Sequence, residues 1–142
     1  MPKRVLIVED NPISLELLTE LVQAEGHRAI PALSGTEALS LARAELPDLI
    51  LMDIQLPGLD GLTATRILKA EPETKEIPVV GISAHALRED VERALQAGCV
   101  AYLSKPLDTR DFIDLMAGLL GQDSSSLPSP LGGEGEVEGR GR

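Results

Sequence analysis

Three carboxylates, one hydroxyl and one lysine stand at matching points of a repeating pattern. Glu9 and Asp10 follow the apolar run Val5-Leu6-Ile7-Val8, and Asp53 follows Leu49-Ile50-Leu51-Met52. Ser83 and Ala84 follow Val79-Val80-Gly81-Ile82, and Lys105 comes just after Val100-Ala101-Tyr102-Leu103. Carboxylates brought together repel one another and resist joint ionisation unless a cation intervenes. Oxygen ligands without a cysteine or histidine cluster suit Mg²⁺, which binds through one or two carboxylates and phosphate oxygens. Glu9, Asp10 and Asp53 sum to −3, and Mg²⁺ with Lys105 sums to +3. A metal ion and a lysine are the groups that stabilise a transferring phosphoryl group. Asp53 is then the nucleophile, because an aspartyl carboxylate can form an acyl phosphate. The Ser83 hydroxyl and the Ala84 N–H are donors for phosphoryl oxygens. Each residue taken singly has a plainer reading. An aspartate at a strand end is usually a cap or a solvated turn residue, and Glu9-Asp10 before Asn11-Pro12 suits the start of a helix. Lys105 before a proline suits a loop, and Ser83 suits a helix cap. Their joint placement after four apolar runs is what favours chemistry.

The elements that must position these residues are legible in the hydropathy pattern. The runs at residues 5–8, 49–52 and 79–82 are short and almost wholly apolar, as in strands covered on both faces, and 100–103 reads as another strand. Arg28-Ala29-Ile30-Pro31-Ala32 is a weaker strand, and Pro31, lacking an N–H, fits best at a sheet edge. Helical faces lie between the strands: Leu17, Leu18, Leu21 and Val22 after Pro12; Ala38, Leu39 and Ala42 after Ser34 or Thr36; Ala64, Ile67 and Leu68; Leu87, Val91 and Leu95, ending at Gly98; and Phe112, Leu115, Met116 and Leu119, capped by Asp108. This β–α alternation predicts an α/β fold, with a parallel sheet, right-handed crossovers and helices on both faces. Ligands of such sheets bind beyond the carboxyl ends of the strands, where the candidate residues lie.

Composition excludes other classes. The chain has 142 residues, enough for one ordinary domain, and a formal net charge of −10. That charge disfavours binding to phosphate backbones, and Tyr102 and Phe112, the only aromatic residues, cannot build a base-stacking platform. One cysteine, Cys99, rules out a disulfide framework, and two histidines cannot make a multi-histidine site. No apolar run approaches the ~18 residues of a membrane span, and the N-terminus does not read as a secretory signal. A cytoplasmic protein with neither nucleic-acid nor membrane partners is expected. From Gln122 to Arg142, Gly, Ser and Pro occupy 11 of 21 positions, so the segment cannot offset its ordering entropy and is expected to be a disordered tail behind a domain of residues 1–121.

The strings Val5-Leu6-Ile7-Val8-Glu9-Asp10-Asn11, Leu51-Met52-Asp53-Ile54-Gln55-Leu56-Pro57-Gly58-Leu59-Asp60-Gly61, Ile82-Ser83-Ala84-His85-Ala86 and Ser104-Lys105-Pro106 together resemble a bacterial response-regulator receiver domain. The resemblance runs over roughly residues 3–120 and is most like single-domain receivers of the chemotaxis and cell-division (DivK-like) type. It implies a flavodoxin-like (βα)5 fold with strand order 2-1-3-4-5. It implies Asp53 as phosphoacceptor and a Mg²⁺ site formed by Asp10, Asp53 and the Gln55 backbone carbonyl, with Glu9 acting through water. Lys105 would pair with the phosphoryl group, and the Lys105–Pro106 bond would be cis. Ser83 and Tyr102 match the switch hydroxyl and the switch aromatic. A sensor histidine kinase or phosphotransfer protein would donate the group. A downstream target protein would read the face of the fourth helix, fifth strand and fifth helix, and a monomer or weak dimer is expected. Ser83 in place of the commoner Thr and Gly81 in the fourth strand are small departures. Gln55 and His85, each two residues beyond a site residue, are expected to govern phosphoryl lifetime.

Other classes fit less well. A phosphatase with an aspartyl nucleophile wants an acid two residues after it, where this chain has Gln55. A nucleotide-binding module wants a Gly-rich loop after the first strand, and none is present. A receiver-like domain that had lost phosphorylation would not keep all of Glu9, Asp10, Asp53, Ser83 and Lys105.

Overall fold

The computed structural model describes residues 3–84 and 87–121. The expected tail from Gln122 and the lifetime candidate His85 lie outside the described residues. The chain divides into two compact units, Met1–Asp108 and Thr109–Arg142.

The first unit alternates strand and helix: β1 (Arg4–Val8), α1 (Pro12–Ala24), β2 (Arg28–Ala32), α2 (Gly35–Glu45), β3 (Leu49–Asp53), α3 (Gly61–Ala70), β4 (Val79–Ser83), α4 (Arg88–Ala97) and β5 (Ala101–Ser104). The five strands form one parallel sheet in the order β2-β1-β3-β4-β5. This is the flavodoxin-like arrangement. β2 is an edge strand, so the missing N–H of Pro31 is tolerated there. β1, β3 and β4 are the interior strands, and every residue of β3 and β4 is buried. Their apolar runs therefore match burial on both faces.

Side chains alternate across a strand, so successive residues enter different cores. Leu6, Val8, Ile30, Ala32, Ile50 and Met52 join Ala38, Leu39 and Ala42 of α2, Ala64 and Leu68 of α3 and Ala94 of α4 in one buried cluster. Val5 and Ile7 point the other way, and α1 packs on β1 and β2 with Leu18 and Val22 buried. Gly81 does not leave a gap. A Cβ there would sit 3.2 Å from Ile54 Cδ1 and 3.4 Å from Cys99 Sγ, so those two side chains already fill the space.

The caps follow from local chemistry. Pro12 opens α1, and the Asn11 side chain accepts from the Ile13 and Ser14 N–H groups. Ser34, rather than Thr36, caps α2, and Asp60 caps α3. Gly98 ends α4 at φ 117, a left-handed conformation that favours glycine. The apolar faces of α1 and α4 differ in part from those expected. On α1, Leu18 and Val22 are buried while Leu17 is exposed. On α4, Ala94 and Ala97 turn inward, while Leu87 and Leu95 lie in solvent. The inner face of α4 is set by Ala94 and Ala97, three residues apart, and Leu95 sits about 100° around the helix from Ala94, so it points away from that face.

In the second unit, α5 (Thr109–Leu120) begins directly after Asp108 and buries Phe112, Met116 and Leu120, one stripe at i, i+4, i+8.

Candidate functional site

The sheet register brings the candidate residues together. Val8 pairs with Met52 and Asp53 with Ile82, so Glu9, Asp53 and Ser83 leave three adjacent strands at one level. Beyond the last pairs the backbone continues to hydrogen bond. The Glu9 N–H donates to the Ala32 carbonyl, the Ile54 N–H to the Ile82 carbonyl, and the Lys105 N–H to the Ser83 carbonyl at 2.8 Å. That last bond brings the β5 end against the β4 end and sets Lys105 beside the acidic group. The Lys105–Pro106 peptide bond is cis, as expected.

Glu9 is 1% exposed and Asp53 is 4% exposed, so both carboxyls are largely cut off from water. Asp10 is exposed. One carboxylate oxygen from each of the three lies within 4.8 Å of the others, close enough to share a metal ion. The donor set is all oxygen, and one member faces solvent, which suits a cation that keeps part of its water. The Lys105 ammonium lies 2.9 Å from Glu9 Oε1 and 3.5 Å from Asp53 Oδ2. The Gln55 N–H donates to Asp53 Oδ1 at 2.9 Å, and the Asn11 N–H donates to Glu9 Oε2 at 3.1 Å.

Electrostatics follow from this crowding. Burial and a hydrogen bond with Glu9 push the Asp53 carboxyl up from its ordinary value to about 6, against the opposing pull of the Gln55 N–H and the Lys105 charge. Burial alone would lower the Lys105 ammonium, but the hydrogen bond with Glu9 and the nearby Asp53 charge reverse this, and its pKa is raised. The lysine thus stays charged while the aspartate holds its proton unusually well.

The other expected residues fall around this centre. Ser83 is the last residue of β4 and is 2% exposed. It is not the cap of α4, which begins at Arg88 with Leu87 at the cap position. Its Oγ donates to Gln55 Oε1 at 3.1 Å. Ala84 is the next residue and is exposed. Tyr102 is half-buried in β5 and packs against the core cluster. With Ile54, Gln55, Leu62, Ser83, Asp90 and Arg93 it lines a cavity of about 190 Å³.

Two features were not foreseen from sequence. One is the bond from Ser83 to the Gln55 side chain, which arises only when β3 and β4 lie side by side. The other is Gly61 at the start of α3, where a Cβ would fall 2.3 Å from the Asp53 carbonyl oxygen and 2.8 Å from Ile54 Cα. The α3 N-terminus approaches the backbone of Asp53 so closely that only glycine fits, and the Gly61 N–H donates to the Ile54 carbonyl. A glycine eight residues after an aspartate was the available signal, but nothing local shows that it touches the strand.

Comparison with known proteins agrees with the geometry. A family model described as the response regulator receiver domain matches residues 5–117. The chain is 48% identical over 121 residues to the polar-differentiation response regulator DivK of Brucella anthropi, covering 85% of this chain and 98% of that protein. Among solved structures, it is similar to the receiver domain of a sensor histidine kinase from Pseudomonas aeruginosa, which has a magnesium ion coordinated in its active-site cleft. The identity there is 33% and the TM-score 0.79, over 85% of this chain and 99% of that one. It is also similar to the signal receiver domain of a signal transduction histidine kinase from Syntrophus aciditrophicus, at 28% identity and TM-score 0.78, over 92% of this chain and 98% of that one.

Proposed function

The chain belongs to the response-regulator receiver family, and on that premise we propose that Asp53 accepts a phosphoryl group from a phosphohistidine donor in a Mg²⁺-dependent reaction. The observation that carries this reading is the convergence of Glu9, Asp10 and Asp53 with the Lys105 ammonium seated between Glu9 and Asp53. Asp10, Asp53 and the Gln55 backbone carbonyl would hold the metal, with Glu9 acting through water. When bound, the ion neutralises charge building on the phosphoryl oxygens. An Asp53 oxygen forms the new P–O bond as the P–N bond to the donor imidazole breaks, and the imidazole keeps that electron pair. Lys105 and the Ser83 hydroxyl meet the phosphoryl oxygens, and the exposed Ala84 contributes its N–H. The same groups assist the later hydrolysis, so the domain promotes its own phosphorylation and dephosphorylation without acting on a separate substrate.

The donor is a sensor histidine kinase or a phosphotransfer protein, and the output is a downstream protein. Leu87 at 65%, Leu95 at 48% and Val100 at 49% exposure give α4 and the start of β5 an apolar surface for it. Ser83 and Tyr102 share one cavity, which suits a hydroxyl sensor coupled to an aromatic responder. The receiver domain is taken as residues 1–121, with 122–142 as a tail. Among the described residues no helix is long and apolar enough to cross a membrane, and we assign the domain to the cytoplasm, where its donor's phosphohistidine would be formed.

The test is incubation with Mg²⁺ and a small acyl-phosphate donor. One phosphoryl group should be gained, released by hydroxylamine, and absent from Asp53→Asn. Incorporation at the wild-type level in Asp53→Asn refutes the assignment.

A further inference from the structure

Ser83 has one hydroxyl proton and, in this structure, it is already committed. Ser83 Oγ donates to Gln55 Oε1 at 3.1 Å, across the gap between the ends of β3 and β4. A serine hydroxyl carries a single donor. It cannot hold the Gln55 amide oxygen and a phosphoryl oxygen on Asp53 with the same proton. We propose that the Gln55 side chain is a latch that holds the Ser83 hydroxyl in the resting arrangement, so that Gln55 sets how readily the site adopts its phosphoryl-bound state. This rests on the reading of Asp53 as phosphoacceptor.

The placement supports a positioning role. The Gln55 backbone N–H donates to Asp53 Oδ1 at 2.9 Å, so one residue holds the acceptor carboxylate through its main chain and the sensor hydroxyl through its side chain. Ser83 is 2% exposed, so water competes poorly for its proton. Gln55 itself is exposed and stands outside the buried core cluster. The competition is unequal by design of the chemistry. A neutral amide oxygen is a weaker acceptor than a charged phosphoryl oxygen, so phosphorylation draws the proton off the latch. The latch therefore opposes spontaneous switching without blocking the driven one. Tyr102 borders the same cavity as Gln55 and Ser83, so release of the hydroxyl changes the wall that this ring faces.

The probe is beryllofluoride with Mg²⁺, a mimic of the phosphoryl group, titrated into the full chain by NMR. Gln55→Met keeps length and the backbone N–H but removes the acceptor; Gln55→Ala is the second variant. Losing one hydrogen bond from the resting state alone should tighten beryllofluoride binding about fivefold. The gain should shrink below about twofold when Ser83→Ala is also present, because the two substitutions then remove the same interaction. The Ser83 amide resonance of probe-free Gln55→Met should move toward its beryllofluoride-bound position. Both variants keep the Gln55 backbone carbonyl assigned to the metal site, so a gain in beryllofluoride binding matched by an equal gain in Mg²⁺ affinity measured alone would come from the metal site and overturn the latch. Unchanged or weaker beryllofluoride binding in both Gln55 variants overturns the latch, as does an equal gain in the Ser83→Ala background. A wild-type chain that takes up no beryllofluoride overturns instead the acceptor reading on which the latch rests.

Discussion

Asp53→Asn should stabilise the metal-free protein above neutral pH, although it destroys the proposed acceptor. The Asp53 carboxyl is 4% exposed and is raised from 3.8 to about 6 by burial and by Glu9. A carboxyl raised on folding is bound to its proton more tightly in the folded chain than in the unfolded one. The folded state is therefore favoured while the group is protonated, and that advantage is lost as pH rises through about 6. Two pKa units correspond to about 2–3 kcal/mol at roughly 1.4 kcal/mol per unit. Asparagine never ionises, so it avoids the loss, and its side-chain oxygen can still accept from the Gln55 N–H. At about 4 °C per kcal/mol for a domain of this size, the variant should melt roughly 8–12 °C higher at pH 7.5 in chelator. The difference should shrink steadily below pH 6 and vanish near pH 4. Subtracting one protein from the other at each pH cancels the titrating groups remote from the site, so calorimetry from pH 4 to 8 reports Asp53 together with its partners Glu9 and Lys105. Added Mg²⁺ should stabilise the wild type more than the variant and narrow the gap. A variant that melts no higher than wild type at pH 7.5, or a gap that does not change with pH, refutes the account of a strained buried carboxylate.

Other expectations follow from single contacts. Lys105→Ala removes the positive charge that opposes the rise of Asp53, so the Asp53 carboxyl should titrate higher still, read by NMR of its side-chain carbon. Gly61→Ala should cost about 1–3 kcal/mol in urea unfolding, because the new Cβ falls 2.3 Å from the Asp53 carbonyl oxygen and the α3 N-terminus must back away; Mg²⁺ affinity should weaken with it, since Asp53 moves too. Asp10→Ala should lower Mg²⁺ affinity and slow phosphorylation while leaving the fold intact, Asp10 being exposed. Removing residues 122–142 should shift the melting temperature by less than about 4 °C.

The sheet and the site were readable from sequence for different physical reasons. Strands buried on both faces must be apolar throughout, so β1, β3 and β4 announced themselves, and Pro31 alone was enough to place β2 at an edge. Parallel strands also share one carboxyl end, which made it possible to gather Glu9, Asp53, Ser83 and Lys105 before their distances were known. Helix faces were less legible, because α4 rests on Ala94 and Ala97 while its larger Leu87 and Leu95 face water. Hydrophobicity reports what a residue prefers, whereas close helix packing selects for small size, and the two disagree on that helix. The least legible features depend on contacts between chain segments far apart in sequence. Gln55 and Ser83 are 28 residues apart, and the bond between them needs both the parallel register and the backbone turn after Asp53. Neither residue type signals such a bond, since glutamine and serine at strand ends ordinarily meet water. The acidic site is constrained by charge, which restricts the residue types that can stand there and so leaves a mark on the sequence. The proposed latch is constrained by one hydrogen bond between neutral groups, which many residue pairs could satisfy. A control element of that kind is open to tuning by single substitutions that leave Asp10, Asp53 and Lys105 untouched.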